Sequence, residues 1–169
     1  MTGVWKILTS GTSLADNHQF SLGQETEKLV SMLRRPQTLS DKTELVRLTV
    51  RELGFPSGEI IESIYIAAQA SGLTLCTASL GMLLRENYVD QPLGEQLNIA
   101  MIPISVSHIR NFAVKGRLIQ EKDKATAILC VGRSDRINEL PMLYLRGSSM
   151  QTFWKPDAQF VFVLNASRK

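Results

Sequence analysis

Residues 54–104 read GFPSGEIIESIYIAAQASGLTLCTASLGMLLRENYVDQPLGEQLNIAMIPI, and the rest of the chain is organised around them. Pro56 and Gly58 interrupt what precedes, and Ser57 offers an oxygen to cap a helix. Glu59 and Glu62 fall where a helix dipole favours negative charge. Ile60, Ile64, Ala67 and Ala68 recur at helical spacing beside Ile61 and Tyr65, so a helix is expected from Glu59 to Gly72. Gly72 suits a left-handed C-terminal cap. A second helix is expected from Thr77 or Ser79, with Leu80, Leu83 and Leu84 as its apolar stripe; Gly81 lies inside it, at a cost that a close helix contact could explain. Arg85, Glu86 and Asn87 at its end read as solvated. Ile64, Leu80 and Leu84 are expected to join the two helices. Past the turn at Asp90-Gln91-Pro92-Leu93-Gly94 a strand is expected to run from Leu97 to Ile104, ending at Pro103. Alternation places Leu97, Ile99 and Met101 on one face, with Gln96, Asn98 and Ala100 on the other.

Outside this block, Val4 to Leu8 reads as an edge strand and Ser21 to Arg35 as a helix ended by Pro36. Arg34 and Arg35 read as helix-end charge. Val46, Leu48 and Val50 alternate with Arg47, Thr49 and Arg51, which favours a strand over Leu45–Val50. Ile109–Ile119 and Ala125–Val131 read as two strands of a hairpin whose tip is residues 120–124. Met142–Leu145 and Gln159–Leu164 are the last expected strands. These elements make one α+β domain over residues 1–169. About three helices lie in its first half, and its mainly antiparallel sheet comes largely from the second.

The run Gly72-Leu73-Thr74-Leu75-Cys76, then Gly81, Leu84-Arg85, Tyr88, Asp90-Gln91-Pro92, Gly94-Glu95, and Ile99-Ala100-Met101 with Pro103-Ile104, resembles a family of uncharacterised bacterial proteins. The likeness is best over residues 50–104. Thr77 stands where that family usually has Pro, and the C-terminal third departs from its pattern. The resemblance implies no activity.

With 169 residues and 44% hydrophobic content, the chain can bury a sizeable core. No apolar run approaches 18 residues, and the start lacks the order of a secretory signal, so a cytoplasmic protein without a membrane span is expected. The net charge of +3 is uneven: residues 1–90 carry −2 and residues 91–169 carry +5. That asymmetry falls short of a dedicated nucleic-acid binder.

Five residues are candidates for a site: Cys76, Arg85, Asp90, Glu95 and His108. A thiol near a helix start can be activated, and His108 with Asp90 or Glu95 could complete a Cys-His-acid set, which would make a thiol-dependent enzyme centred on Cys76. The plainer reading of Cys76 is a small buried residue. Asp90 and Glu95 could act as paired carboxylates, although Glu95 would ordinarily face an arginine. Residues 59–88 have a helix-turn-helix outline with one arginine, Arg85, on the second helix, which gives a nucleic-acid-binding regulator as an alternative. Phe153, Trp154, Phe160 and Phe162 read as core. Gly132-Arg133-Ser134 and Arg146-Gly147-Ser148-Ser149 are too short for phosphate loops. Spacing suggests no metal set and no cofactor. The leading expectation is a non-catalytic module binding an unknown protein or small molecule, with nucleic acid not favoured as a partner.

Overall fold

The structure is a computed structural model, and it describes residues 3–9, 20–33, 42–106, 113–114, 117–118 and 125–165. The chain begins with β1 (Lys6–Thr9), β2 (Ser21–Leu22), α1 (Gln24–Leu33) and β3 (Lys42–Thr49). Next come β4 (Glu59–Ile60), α2 (Ile61–Ala70), β5 (Leu73–Thr74), α3 (Ala78–Asn87), β6 (Gln96–Ile99) and β7 (Ile104–Ser105). After the pair β8 (Ala113–Val114) and β9 (Arg117–Leu118) follow β10 (Thr126–Gly132), β11 (Met142–Gly147), β12 (Phe153–Trp154) and β13 (Gln159–Leu164). The fold is α+β, with three helices among the described residues.

The main sheet runs β1-β3-β13-β6-β10-β11-β2, with β5 also paired to β13 and β7 to β10. It is mixed: β13–β6 and β11–β2 are parallel, and the other pairings are antiparallel. Four of its strands, β1, β2, β3 and β5, come from the first half of the chain, more than the sequence led us to expect. The reading of Leu45–Val50 as a strand holds within β3, and β13 coincides with the expected Gln159–Leu164. β1 lies at an edge, as expected.

Register decides which side chains share a face. Phe160 lies opposite Leu48 and Asn98, and Cys130 lies opposite Asn98 and Tyr144. These residues form the first face. Val161 lies opposite Arg47 and Ile99, and Val131 opposite Leu97 and Leu143, which defines the second face. α2 covers part of the first face. The Tyr65 ring meets Phe160 and Phe162 edge-on at 6.2 Å, and its hydroxyl donates to Met101 O at 3.1 Å. α3 covers the second face. A Cβ on Gly81 would stand 3.1 Å from Ile99 Cγ1 and 3.4 Å from Leu129 Cδ1, so the helix lies close on the sheet here and a larger residue would press on Ile99.

The expected contact of Ile64 with Leu80 and Leu84 is therefore not made: the sheet stands between the two helices. β5 explains how. Its residues Leu73 and Thr74 pair with Leu164 and Val163 of β13, so the chain enters the sheet plane between α2 and α3. It leaves on the opposite face. Gly72, with φ of +83°, makes the turn out of α2 that the sequence suggested.

Other expectations need correction at the level of single residues. Ser57 does not cap α2. Glu59 and Ile60 are drawn into a two-stranded ribbon with β12, so the helix starts at Ile61, after Ile60. Its first amides are met instead by loop carbonyls, Ile61 N–H by Thr152 O at 3.0 Å and Glu62 N–H by Met150 O at 3.0 Å. Thr77 does cap α3, accepting from Leu80 N–H at 3.2 Å.

The strand expected over Leu97–Ile104 is broken in two. Ala100 O accepts from Cys76 N–H at 2.7 Å, Met101 N–H is taken by the Tyr65 hydroxyl at 3.1 Å, and Pro103 has no N–H to give. The alternation holds over β6, residues 96–99, but Asn98 is as buried as Leu97 and Ile99, because β6 is a central strand.

α1 begins at Gln24, because Ser21 and Leu22 pair with β11. The expected strand Ala125–Val131 is found as β10, but both of its edges are taken by β6, β7 and β11, not by β8 or β9; residues 109–112, 115–116 and 119–124 lie outside the described residues. Ala113–Val114 and Arg117–Leu118 pair with each other instead. Arg34, Arg35, His18 and His108 lie outside the described residues.

Candidate functional site

Two polar systems meet at the Gly94 end of β6. The first belongs to α3. Arg85, Glu86 and Asn87 are not solvated as expected: Arg85 is only 1% exposed. Its guanidinium donates to Gln91 Oε1 and to Tyr88 O, and reaches Gly132 O at 3.5 Å. Burial lowers its pKa to about 10. Gln91 in turn donates from Nε2 to Glu95 O and Val131 O, each at 3.2 Å, and its own carbonyl accepts from Arg133 Nη1 at 2.7 Å. Arg85 is thus a clamp between the end of α3, the 88–95 turn and the end of β10.

Glu95 faces an arginine, as the sequence suggested. It pairs with Arg47 and accepts from the Tyr88 hydroxyl at 2.8 Å. Burial, then the Glu95 carboxylate, pushes the Tyr88 phenol above its usual range. Trp5 stacks edge-on against Tyr88 at 5.2 Å and lies under Arg47 at 5.0 Å. Asp90 has a different neighbour: it is exposed and stands 4.0 Å from Lys6. Asp90 and Glu95 do not form a carboxylate pair.

Cys76 is remote from these groups. Its thiol is buried, donates to Val161 O at 3.3 Å, and is pushed up to about 12 by burial. A nucleophilic thiol needs the opposite surroundings. Of the five candidate residues, then, the structure gathers Arg85 and Glu95 into one network with Asp90 at its margin. Cys76 is set apart, and His108 lies outside the described residues.

The second polar system escaped the sequence reading. On the first face of the sheet, beyond the part covered by α2, β6 presents Gln96 and Asn98 and β11 presents Met142, Tyr144 and Arg146. Arg146 Nη2 donates to Gln96 Oε1 at 2.6 Å and to the Tyr144 hydroxyl at 3.0 Å, and Nη1 donates to Asn98 Oδ1 at 3.2 Å. The same Asn98 oxygen accepts from Cys130 Sγ at 3.2 Å, and Gln96 Oε1 also accepts from the Tyr144 hydroxyl at 3.3 Å. Burial raises the Tyr144 phenol to about 12. The guanidinium of Arg146 lies over two rings, Tyr144 at 5.7 Å and Trp154 at 5.5 Å. Trp154 is fixed by edge-on packing on Phe160 at 5.1 Å.

This cluster opens on a cleft of about 640 Å³. Gly132 and Tyr144 form its floor, Gln96, Arg133 and Arg146 are its polar walls, and residues 134–139 supply the rim. Gly132 keeps the floor flat, since a Cβ there would stand 3.0 Å from Tyr144 Cε1. The two systems share a wall, because Gly132 O is the carbonyl that Arg85 reaches from the other side. No group of His, Cys, Asp and Glu among the described residues is arranged to hold a metal ion. No helix among them is long and apolar enough to cross a membrane.

No protein-family model matches the chain, and neither a curated protein nor a solved structure is significantly similar to it.

Proposed function

We propose that this chain is a non-catalytic binding module, acting in the cytoplasm, and that it takes a small molecule in the cleft beside Tyr144 and Arg146. One observation carries the reading. Gln96, Asn98, Tyr144 and Arg146 form a bonded polar cluster on the sheet face whose other part packs Phe160 and Phe162 against α2, and Gln96, Tyr144 and Arg146 line an open cleft. A concave site with a few convergent polar groups on rigid strands is the usual form of a small-molecule site. The binding reading also fits the two thiols, since Cys76 and Cys130 are both buried and both pushed up to about 12. The regulator reading draws less support, since α2 and α3 lie on opposite faces of the sheet and Arg85 is sealed inside.

The test is an amide-resolved NMR screen of a chemically mixed set of small molecules. Compounds that bind should move the signals of residues 94–96, 132–134 and 142–146 together. A screen in which no compound moves those signals, or in which shifts gather elsewhere, contradicts the reading.

A further inference from the structure

We infer that the ligand of this cleft carries an oxyanion, a carboxylate or a phosphate, seated on the guanidinium of Arg146; the inference rests on the binding reading above. Among the described residues Arg47, Arg51 and Arg136 each have a carboxylate within 4.0 Å, whereas Arg85, Arg133 and Arg146 have none, and of these three Arg85 is sealed inside while Arg133 and Arg146 line the cleft. The partners of Arg146 are all neutral: an amide oxygen from Gln96, another from Asn98, and the Tyr144 hydroxyl. They orient the planar fork without cancelling its charge. Two aromatic rings lie against it, so the fork is held in place while it faces the cleft. A guanidinium held in this way matches the two oxygens of a carboxylate or phosphate.

The rest of the lining holds one further cation and two acidic residues. Arg133 adds a second cation, fixed through Gln91 O, and its Nε is buried without a partner among the described residues. Of the two acidic lining residues, Glu139 is already engaged by Arg136 at 3.2 Å, and Asp135 is exposed on the rim. The Gln96 amide, its oxygen held by Arg146 and Tyr144, keeps its NH2 group for an acceptor. Met142, the Tyr144 ring and the bare backbone of Gly132 give a flat apolar wall that suits a compact organic body next to the anionic group.

Benzoate, phenyl phosphate, inorganic phosphate and neutral benzamide are the probes, titrated while amide shifts are followed. An acid should move the signals of residues 94–96, 132–134 and 144–146, and benzamide should bind at least tenfold more weakly than benzoate. Inorganic phosphate acting as well as the organic acids would identify free phosphate as the source; benzoate acting alone would identify an organic carboxylate.

Arg146→Met should abolish the shifts. Gln96→Glu is the second variant. It sets a carboxylate beside the Arg146 fork with no change in side-chain size, and it should weaken acid binding at least tenfold while the protein stays folded. Acids that leave the cleft unmoved, benzamide binding as well as benzoate, or unchanged affinity in Gln96→Glu would overturn the inference. If neutral or cationic compounds from the screen still map to the cleft, the oxyanion alone is wrong. If nothing maps there, the binding reading falls with it.

Discussion

Arg85 and Glu86 are neighbours on α3, and the fold treats them in opposite ways. Arg85 is buried and finds acceptors in Gln91, Tyr88 and Gly132. Glu86 has both carboxylate oxygens buried without a partner among the described residues, and burial raises its pKa to about 7. It also sits in the last turn of a helix, where negative charge is disfavoured. The sign of its effect follows from linkage. A carboxyl whose folded pKa lies above its unfolded value of about 4.3 favours the folded state most when protonated. Its contribution is full at low pH and is lost as pH rises from about 4 through about 7. Glu86→Gln should therefore raise stability at pH 8 and leave it nearly unchanged at pH 4. Denaturant unfolding of both proteins at the two pH values checks this, and an equal effect at both would show that Glu86 is not desolvated. Neither fate was legible in the sequence, because periodicity places both residues at a helix end, where charged side chains usually meet water. What buries Arg85 is the turn that follows, which folds back along the helix and brings Gln91 beneath it.

At the scale of elements, the sequence was most legible where a local signal acts alone. The start of α3 next to Thr77, the Gly72 turn, the alternation in β3 and the run of β13 were all readable from short-range chemistry. It was least legible where a distant segment competes for the backbone. The start of α2 moved because β12 pairs with Glu59 and Ile60. The strand after the turn broke because Tyr65 and Cys76 take its Ala100 and Met101 groups. The apolar stripe of α3 was read correctly, but its partner was not. Leu80 and Leu84 are buried, and α3 packs on strands of the sheet and on α1. Leu84 is 1% exposed, so Leu84→Ala should lower stability by about 2–5 kcal/mol. A loss below about 1 kcal/mol in denaturant unfolding, the size usual for mild surface changes, would contradict its burial.

The whole molecule is held by strand pairings between residues far apart in the chain. β13, near the C-terminal end, pairs with β3 on one side and with β6 and β5 on the other. That arrangement sets the first half of the chain around a strand from the last tenth, and no periodicity in a single segment encodes it. The candidate cleft has the same origin. Gln96, Tyr144 and Arg146 lie up to fifty positions apart, and only the register of β6, β10 and β11 brings them onto one face. The one sequence signal was polar: Gln96 and Asn98 alternate with apolar residues in a strand that turns out to be central. Arg85, Tyr88, Gln91 and Glu95 build the scaffold behind the cleft.

All of this depends on the sheet lying between α2 and α3, since that separation leaves the strip of Gln96, Tyr144 and Arg146 open. Side-chain NOE spectroscopy on the intact chain measures it directly. The account predicts cross-peaks from Gly81 to Ile99 and Leu129 and from Tyr65 to Phe160 and Phe162, with none between Ile64 and Leu84. Cross-peaks joining Ile64 to Leu84, with Gly81 remote from Ile99, would contradict it.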